Sequence, residues 1–288
     1  MAASMATKLS LNTSLPLPKI STRIPQLGFG VYQSPPSVCM ASCSTALKAG
    51  YTHIDTAQYY ENEPEVGQAI RQSSVPRSSL FITTKILSPA GSVEESYKSC
   101  LASVEKIDPG KDGYVDLFLI HSPNSGSKAR KEMWTALERL HLEGKAKAIG
   151  VSNFGIGHIE EMQSWAPSVW PPHANQIELH PWCQQREVVE YCKEHGIIME
   201  AYSPLVRNKK ADDPVLNQVA KNCGVSTQQV LIRYCLQKGW VPLPKSDTAE
   251  RIEKNSDVYG FEIGVDDMKK LDSLDEGPRG AIVMAVKN

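Results

Sequence analysis

The sequence predicts an α/β fold, a single-domain (β/α)8 barrel, on three observations. Eight short apolar or β-branched runs alternate with longer helical stretches. The alternation crosses the chain with no break in composition, internal repeat or low-complexity linker. The chain has 288 residues, near the roughly 250 of one such barrel.

In order, the candidate strands are Gln26–Val31, Thr52–Thr56, Leu80–Ile86, Val115–His121, Ala148–Ser152, Ala174–Glu178, Ile197–Tyr202 and Trp240–Pro244. Between them the predicted helices are Pro36–Ala49, Glu63–Gln72, Val93–Ile107, Ala129–Glu143, Gly157–Trp165, Arg186–His195, and Pro214–Asn222 with Thr227–Lys238; Thr248–Asn255 follows the last strand. Gly50, Gly144, Gly196 and Gly239 stand where a left-handed residue closes a helix. Asp213 before Pro214 is a cap followed by a first-turn proline, and Ser226 with Thr227 opens a helix whose Val230, Leu231, Tyr234 and Cys235 form one stripe. The competing open, doubly wound sheet carries GxGxxG after its first strand. Gly28-Phe29-Gly30-Val31-Tyr32-Gln33 lacks the third glycine, so the closed TIM barrel is preferred. Residues 1–22, with Lys8 and Lys19, no acid and many Ser and Thr, read as a leader or as a hairpin capping the barrel bottom; residues 276–288 read as a short tail.

Composition narrows the function. A net charge of −1 from 31 basic and 32 acidic residues gives no general attraction to nucleic acid or to an acidic membrane. No apolar run approaches the roughly 18 residues of a membrane span. Seven scattered cysteines without a CxxC pair are no disulfide framework and fit reduced thiols in a cytoplasmic setting. No self-complementary patch is evident, which leaves a monomer as the default.

In such a barrel chemistry sits at the C-terminal strand ends. Successive candidate strands end on Asp55, Lys85, His121, Ser152 and Asn153, Gln176 and Glu178, Tyr202 and Ser203, and Lys245 and Ser246. Any one polar residue there is ordinary, because strands surface at their ends; seven strands delivering such groups to one rim point to a site. A lysine buried beside Asp55 needs that carboxylate as a partner. A tyrosine near its ammonium is expected to have a pKa below about 10 and to serve as a proton donor to a carbonyl oxygen. Both Tyr59 and Tyr60 follow Asp55. Metal-dependent hydrolysis is disfavoured, because the seven histidines show no ligand spacing.

The segment from Tyr51 to Glu63, YTHIDTAQYYENE, resembles the signature of the aldo-keto reductase family. In the family's order follow Ile82–Lys85, Asp116–His121, Gly150–Phe154, Asn175–Pro181, Ala201–Leu205 and Leu243–Ser246, so the resemblance spans roughly residues 17–275. It implies a tetrad of Asp55, Tyr60, Lys85 and His121 in an NADPH-dependent reductase of small-molecule carbonyls: Tyr60 the general acid, Lys85 depressing its pKa, His121 orienting the carbonyl oxygen. It implies that Ser152, Asn153 and Gln176 hold the nicotinamide carboxamide and that Tyr202 stacks on the ring, with Ser203 and Leu205 beside the cofactor. It further implies that Lys245, Ser246 and Arg251 clamp the 2′-phosphate, with Asn255 toward the adenine. The intact tetrad argues against a non-catalytic, cofactor-binding role.

The chain departs from the family's pattern at several positions. Lys254 replaces a common glutamate near the adenine, and Asp247 puts a negative charge beside the phosphate clamp where an apolar residue is common. Leu87 replaces a tryptophan that walls the pocket; Tyr32, Leu87, Trp182 and Cys183 are the candidate pocket walls, Trp182 alternatively packing on the rim. The loop from Ser122 to Arg130 is short, and the long C-terminal loop of larger members looks absent, so an open site for varied carbonyls is expected.

Overall fold

The structure, a computed structural model, describes residues 9–166 and 168–287; of the segment 1–22 expected as a leader or a bottom-capping hairpin, residues 1–8 lie outside the described residues. Strands β1 (Ser14–Pro16) and β2 (Arg23–Pro25) pair as an antiparallel hairpin. Eight parallel strands follow, hydrogen-bonded in chain order: β3 (Phe29–Gly30), β4 (His53–Asp55), β5 (Phe81–Ile86), β6 (Val115–Ile120), β7 (Ala146–Ser152), β8 (Ala174–Glu178), β9 (Ile198–Tyr202) and β10 (Val241–Pro242). The ring closes where the Gly28 and Gly30 N–H groups donate to the carbonyls of Pro242 and Pro244, each at 3.0 Å. The first and last strands are shorter than the sequence predicts. Pro242 and Pro244 have no N–H, so at this seam they serve as acceptors and the ladder stays sparse. A side chain at Gly28 would collide there with Leu243 at 2.5 Å and His53 at 2.7 Å.

Helices α1 (Pro36–Lys48), α2 (Glu63–Gln72), α3 (Val93–Ile107), α4 (Ser127–Leu142), α5 (Ile156–Gln163), α6 (Arg186–Glu194), α7 (Pro214–Cys223), α8 (Thr227–Gln237), α9 (Ala249–Ser256) and α10 (Val265–Asp272) surround the ring. The predicted caps form. Asp213 accepts from the N–H groups of Val215 and Leu216, and Ser226 with Gln229 makes a reciprocal capping box. Helix α10 is not among the predicted elements. It is short and mostly charged, and Leu271 is its one fully buried residue, so it carries little apolar periodicity.

The apolar interior has two parts. The larger packs the helices onto the outside of the strands. The smaller fills the lower barrel with Phe81, Leu117, Leu119, Ala148, Ala174, Val241 and Leu243, closed from below by Leu17 and Ile24 around the hairpin. Strand side chains alternate between the two faces. Two or four positions beyond these inward apolar groups, pointing inward nearer the top, lie Lys85, His121 and Gln176; by the same alternation Asp55 stands two beyond the buried His53 and Tyr202 four beyond Ile198, which packs on the same cluster. No described helix is long and apolar enough to cross a membrane.

Candidate active site

A cavity of about 380 Å³ opens at the C-terminal ends of the barrel strands. Asp55, Tyr60, His121, Ser152, Asn153, Gln176, Tyr202, Ser203, Leu205, Lys245, Tyr32 and Leu87 line it. Beneath them Lys85 is wholly buried. Its ammonium donates to Asp55 Oδ1 at 2.6 Å, to the Thr56 carbonyl at 2.9 Å and to the Tyr60 hydroxyl at 3.2 Å. All three N–H bonds are thus used. Burial alone pulls the Lys85 pKa down, but Asp55 and the Tyr60 contact outweigh it and hold the ammonium above its ordinary pKa.

Tyr60 departs from the sequence expectation. Burial pushes its hydroxyl up to about 12, and the charge of Lys85 recovers only part of that rise. The expected net depression is therefore corrected. Desolvating a phenolate costs more than one ammonium already shared with Asp55 restores. Because the Tyr60 oxygen accepts from Lys85, its own proton is available to the cavity. His121 packs edge-on to Tyr60, with ring centroids 5.6 Å apart. Burial, aided by the nearby Lys85 charge, lowers its pKa to about 3, so the imidazole is neutral.

The opposite wall is a set of fixed amides. The Asn153 amide donates to the His121 carbonyl at 3.0 Å and to Ser152 Oγ at 3.1 Å, while its oxygen accepts from the Tyr202 hydroxyl at 2.9 Å. Asn153 adopts a left-handed φ of 63°, which asparagine tolerates better than most residues. Ser152 Oγ donates to the Gln176 carbonyl at 2.8 Å. Gln176 Nε2 donates to Asp55 Oδ2 at 2.8 Å, with Glu200 Oε2 at 3.4 Å. The wall and the Asp55–Lys85 pair are therefore one connected network.

Several predicted site residues sit elsewhere. Trp182, expected at the pocket wall, is 1% exposed and packs in the core outside the cavity; Cys183, also a candidate wall, is fully buried. The short bridge between His180 and Cys183 turns this segment back into the barrel rim instead of toward the cavity. Ser246, Arg251 and Asn255 do not line the cavity. Ser246 Oγ accepts from the Thr248 N–H at 3.1 Å, while Arg251 lies exposed and Asn255 buried on α9.

Tyr59, the sequence alternative to Tyr60, also lines the cavity, and other lining residues escaped the sequence reading: Ser122, Arg207, Val283 and Met284. Arg207 stands two residues after the Tyr202–Leu205 run, so extending that motif would have found it. The loop holding it carries positive φ at Ser203, Val206, Arg207 and Asn208, a concentration of strained backbone that recurs beside ligand sites. Val283 and Met284 have no local signal. The Glu178 carboxylate places them by accepting from the N–H groups of Ile282, Val283 and Met284 at 2.5, 2.8 and 2.9 Å. His180 Nε2 lies 2.9 Å from Glu178 Oε1. Burial works against the Glu178 charge, but His180 and the three amides together hold its pKa below the ordinary carboxylate value.

Comparison with known proteins agrees with this architecture. The model of the aldo/keto reductase family matches residues 27–276. An uncharacterized oxidoreductase of Schizosaccharomyces pombe is 44% identical, over 88% of this chain and 91% of its own length. The glyoxal reductase of Bacillus subtilis is 41% identical, over 89% and 91%. The crystal structure of an aldo/keto reductase from Brucella melitensis superposes with a TM-score of 0.85 at 39% identity, covering 91% of this chain and 99% of that one. The chain is an oxidoreductase with a (β/α)8 barrel and belongs to the aldo/keto reductase family.

Proposed function

We propose that this protein is an NADPH-dependent reductase of aldehydes and ketones, of the NADP-dependent alcohol dehydrogenase type, with Tyr60 as the general acid. One observation carries the reading: the Tyr60 hydroxyl faces the cavity while accepting from Lys85 at 3.2 Å, and Lys85 is tied to Asp55 at 2.6 Å. Such a phenol keeps its proton at neutral pH and meets a lowered barrier when it gives that proton up. The phenolate left behind sits against an ammonium that loses nothing by strengthening the contact.

The cavity fits a nicotinamide by the chemistry of its donors and acceptors. Asn153 and Gln176 are fixed carboxamides, Ser152 adds a hydroxyl, and Tyr202 adds an aromatic face. Gln176 commits its N–H to Asp55, so it offers the cavity an acceptor. When bound, the cofactor supplies the hydride. The protein's own residues do the rest. Tyr60 donates a proton to the carbonyl oxygen, neutral His121 donates a hydrogen bond to the same oxygen, and Lys85 holds the resulting phenolate. Lys245, Ser246 and Arg251 form the cation and hydroxyl set proposed for the 2′-phosphate, with Ser203, Leu205 and Asn255 along the rest of the cofactor.

Tyr32, Leu87, Val283 and Met284 make an apolar approach to Tyr60, which supports small carbonyls of varied shape. Similarity to a protein named glyoxal reductase supports the same substrate class. A monomer in the cytoplasm is the proposed working form, in keeping with seven unpaired cysteines, six of them buried. The test is a panel of aliphatic, aromatic and sugar aldehydes, with NADPH oxidation followed by absorbance. Tyr60→Phe is expected to fold normally and to lose about 10²–10⁴ of the rate. Equal rates in the two proteins would remove Tyr60 as the acid, and a single sharply preferred substrate would remove the open-site reading.

A further inference from the structure

Lys245 is not a free cation. Its ammonium meets Asp247 Oδ2 at 2.5 Å and the Gln33 carbonyl at 3.3 Å. Asp247 in turn is not a loose surface acid. Its other oxygen accepts from Ser34 Oγ at 2.6 Å and from Ser42 Oγ at 2.9 Å. Both serines are buried, Ser34 after β3 and Ser42 on α1. Two hydroxyls from one side of the barrel seam thus fix a carboxylate that reaches across to a lysine on the other side. Burial raises the Asp247 pKa, yet the bonds from Lys245, Ser34 and Ser42 together keep it below the ordinary carboxylate value. Asp247 is therefore an anion near neutral pH. Nearby, Lys254 is occupied by Glu250 at 3.0 Å. Arg251 has no side-chain bond among the described residues.

A phosphate dianion brought to Lys245 meets an ammonium that already has a carboxylate against it. It must share that ammonium, and it experiences repulsion from a charge that cannot swing away because Ser34 and Ser42 hold it. A ribose hydroxyl at the same place carries no charge and meets neither penalty. We infer that Asp247 is a specificity-determining residue of the dinucleotide site, a built-in counter-anion that weakens the preference for 2′-phosphorylated over non-phosphorylated adenine nucleotides. The inference rests on the proposed role of Lys245, Ser246 and Arg251, and it makes the protein a less exclusive user of NADPH than those three residues alone imply.

The experiment is calorimetric binding of 2′,5′-ADP and of 5′-AMP to the full chain, for the wild type, Asp247→Asn and Lys245→Met. Asparagine keeps an oxygen for Ser34 and Ser42 and removes the charge. Asp247→Asn is expected to bind 2′,5′-ADP about tenfold tighter, as for one recovered charge-assisted hydrogen bond, with 5′-AMP within about twofold of wild type. Unchanged or weaker 2′,5′-ADP binding overturns the inference, weaker binding meaning that Asp247 merely holds Lys245 in place. Should Asp247→Asn fail to fold, Asp247→Ser is read by the same signs. Lys245→Met separates the two levels. If it weakens 2′,5′-ADP alone, the phosphate reading stands and only Asp247 is on trial. If it changes neither ligand, the phosphate reading falls and this inference falls with it.

Discussion

At the residue scale the Asp55–Lys85 pair is a buried ion pair whose desolvation must be offset within the site. Lys85 is wholly buried and the Asp55 side chain is 4% exposed, so each ion depends on the other for its solvation. Removing one partner strands a buried charge. Lys85→Met is expected to lower stability by about 3–5 kcal/mol in urea denaturation. The double variant Asp55→Leu/Lys85→Met is expected to be more stable than either single variant, since no charge is left unpaired. A double variant weaker than both would mean that the pair contributes packing or network bonds beyond its charges. His121 is neutral, with its pKa near 3, so it adds no ionisation to the rate profile between pH 5 and 9. A titration step assigned to it there by NMR would contradict its role as a neutral donor.

At the scale of elements, the tail above the barrel is held by a few side chains, with the Tyr202 hydroxyl donating to the Met284 carbonyl at 3.2 Å and the buried Glu178 carboxylate making the most bonds. The tail that carries Val283 and Met284 over the cavity depends on Glu178, with Gln185 Oε1 accepting from the Val286 N–H at 2.7 Å as a further tie. Glu178→Gln keeps the shape and removes the charge and one acceptor oxygen. The amides of Ile282, Val283 and Met284 are expected to exchange hydrogen at least about tenfold faster, each lost charge-assisted bond contributing about 1.5–3 kcal/mol, while strands β5 and β6 are unaffected. Exchange at wild-type rates would show that apolar contact, not the carboxylate, holds the tail. The same substitution is expected to change carbonyl KM more than kcat, because Val283 and Met284 touch the approach and not the acid.

At the scale of the whole molecule, buried titratable groups set how stability varies with pH. Burial lowers the pKa of His53 and of His121 to about 3, and that of His173 to about 4. Below their ordinary 6.5 the unfolded chain binds protons that the native protein does not, and stability falls as pH falls. Glu200 acts in the opposite sense. Burial and the neighbouring Asp55 raise its pKa to about 8, against the partial offset of Lys85. Between 4.5 and about 8 the native protein holds a proton that the unfolded chain releases, and stability falls as pH rises. The three histidines outweigh one carboxyl on the acid side. Above 6.5 the histidine contribution fades and Glu200 comes to dominate among these groups. Thermal melts are therefore expected to peak near pH 6.5, and Glu200→Gln is expected to flatten the decline between 6.5 and 8. An equally steep decline in that variant would exclude Glu200 as its source.

The sequence by itself determined the barrel and the location of its chemistry. Alternating strands and helices follow from local periodicity. The period of two along each strand then carries Asp55, Lys85, His121, Gln176 and Tyr202 to one rim, so these residues were legible without coordinates. Helix α10 was not, because one buried leucine makes no stripe. The sequence leaves Trp182 open between pocket wall and rim packing, because the short turn that folds it into the core is invisible in residue type. The net rise of the Tyr60 pKa was also out of reach, since desolvation depends on every atom that excludes water, while sequence order shows only that a lysine is near. Likewise the seating of Val283 and Met284 by Glu178, and of Asp247 by Ser34 and Ser42, joins residues more than 100 positions apart. Local pattern is written in neighbouring residues. Charge partnership and burial are properties of the closed ring, and only the tertiary structure decides them.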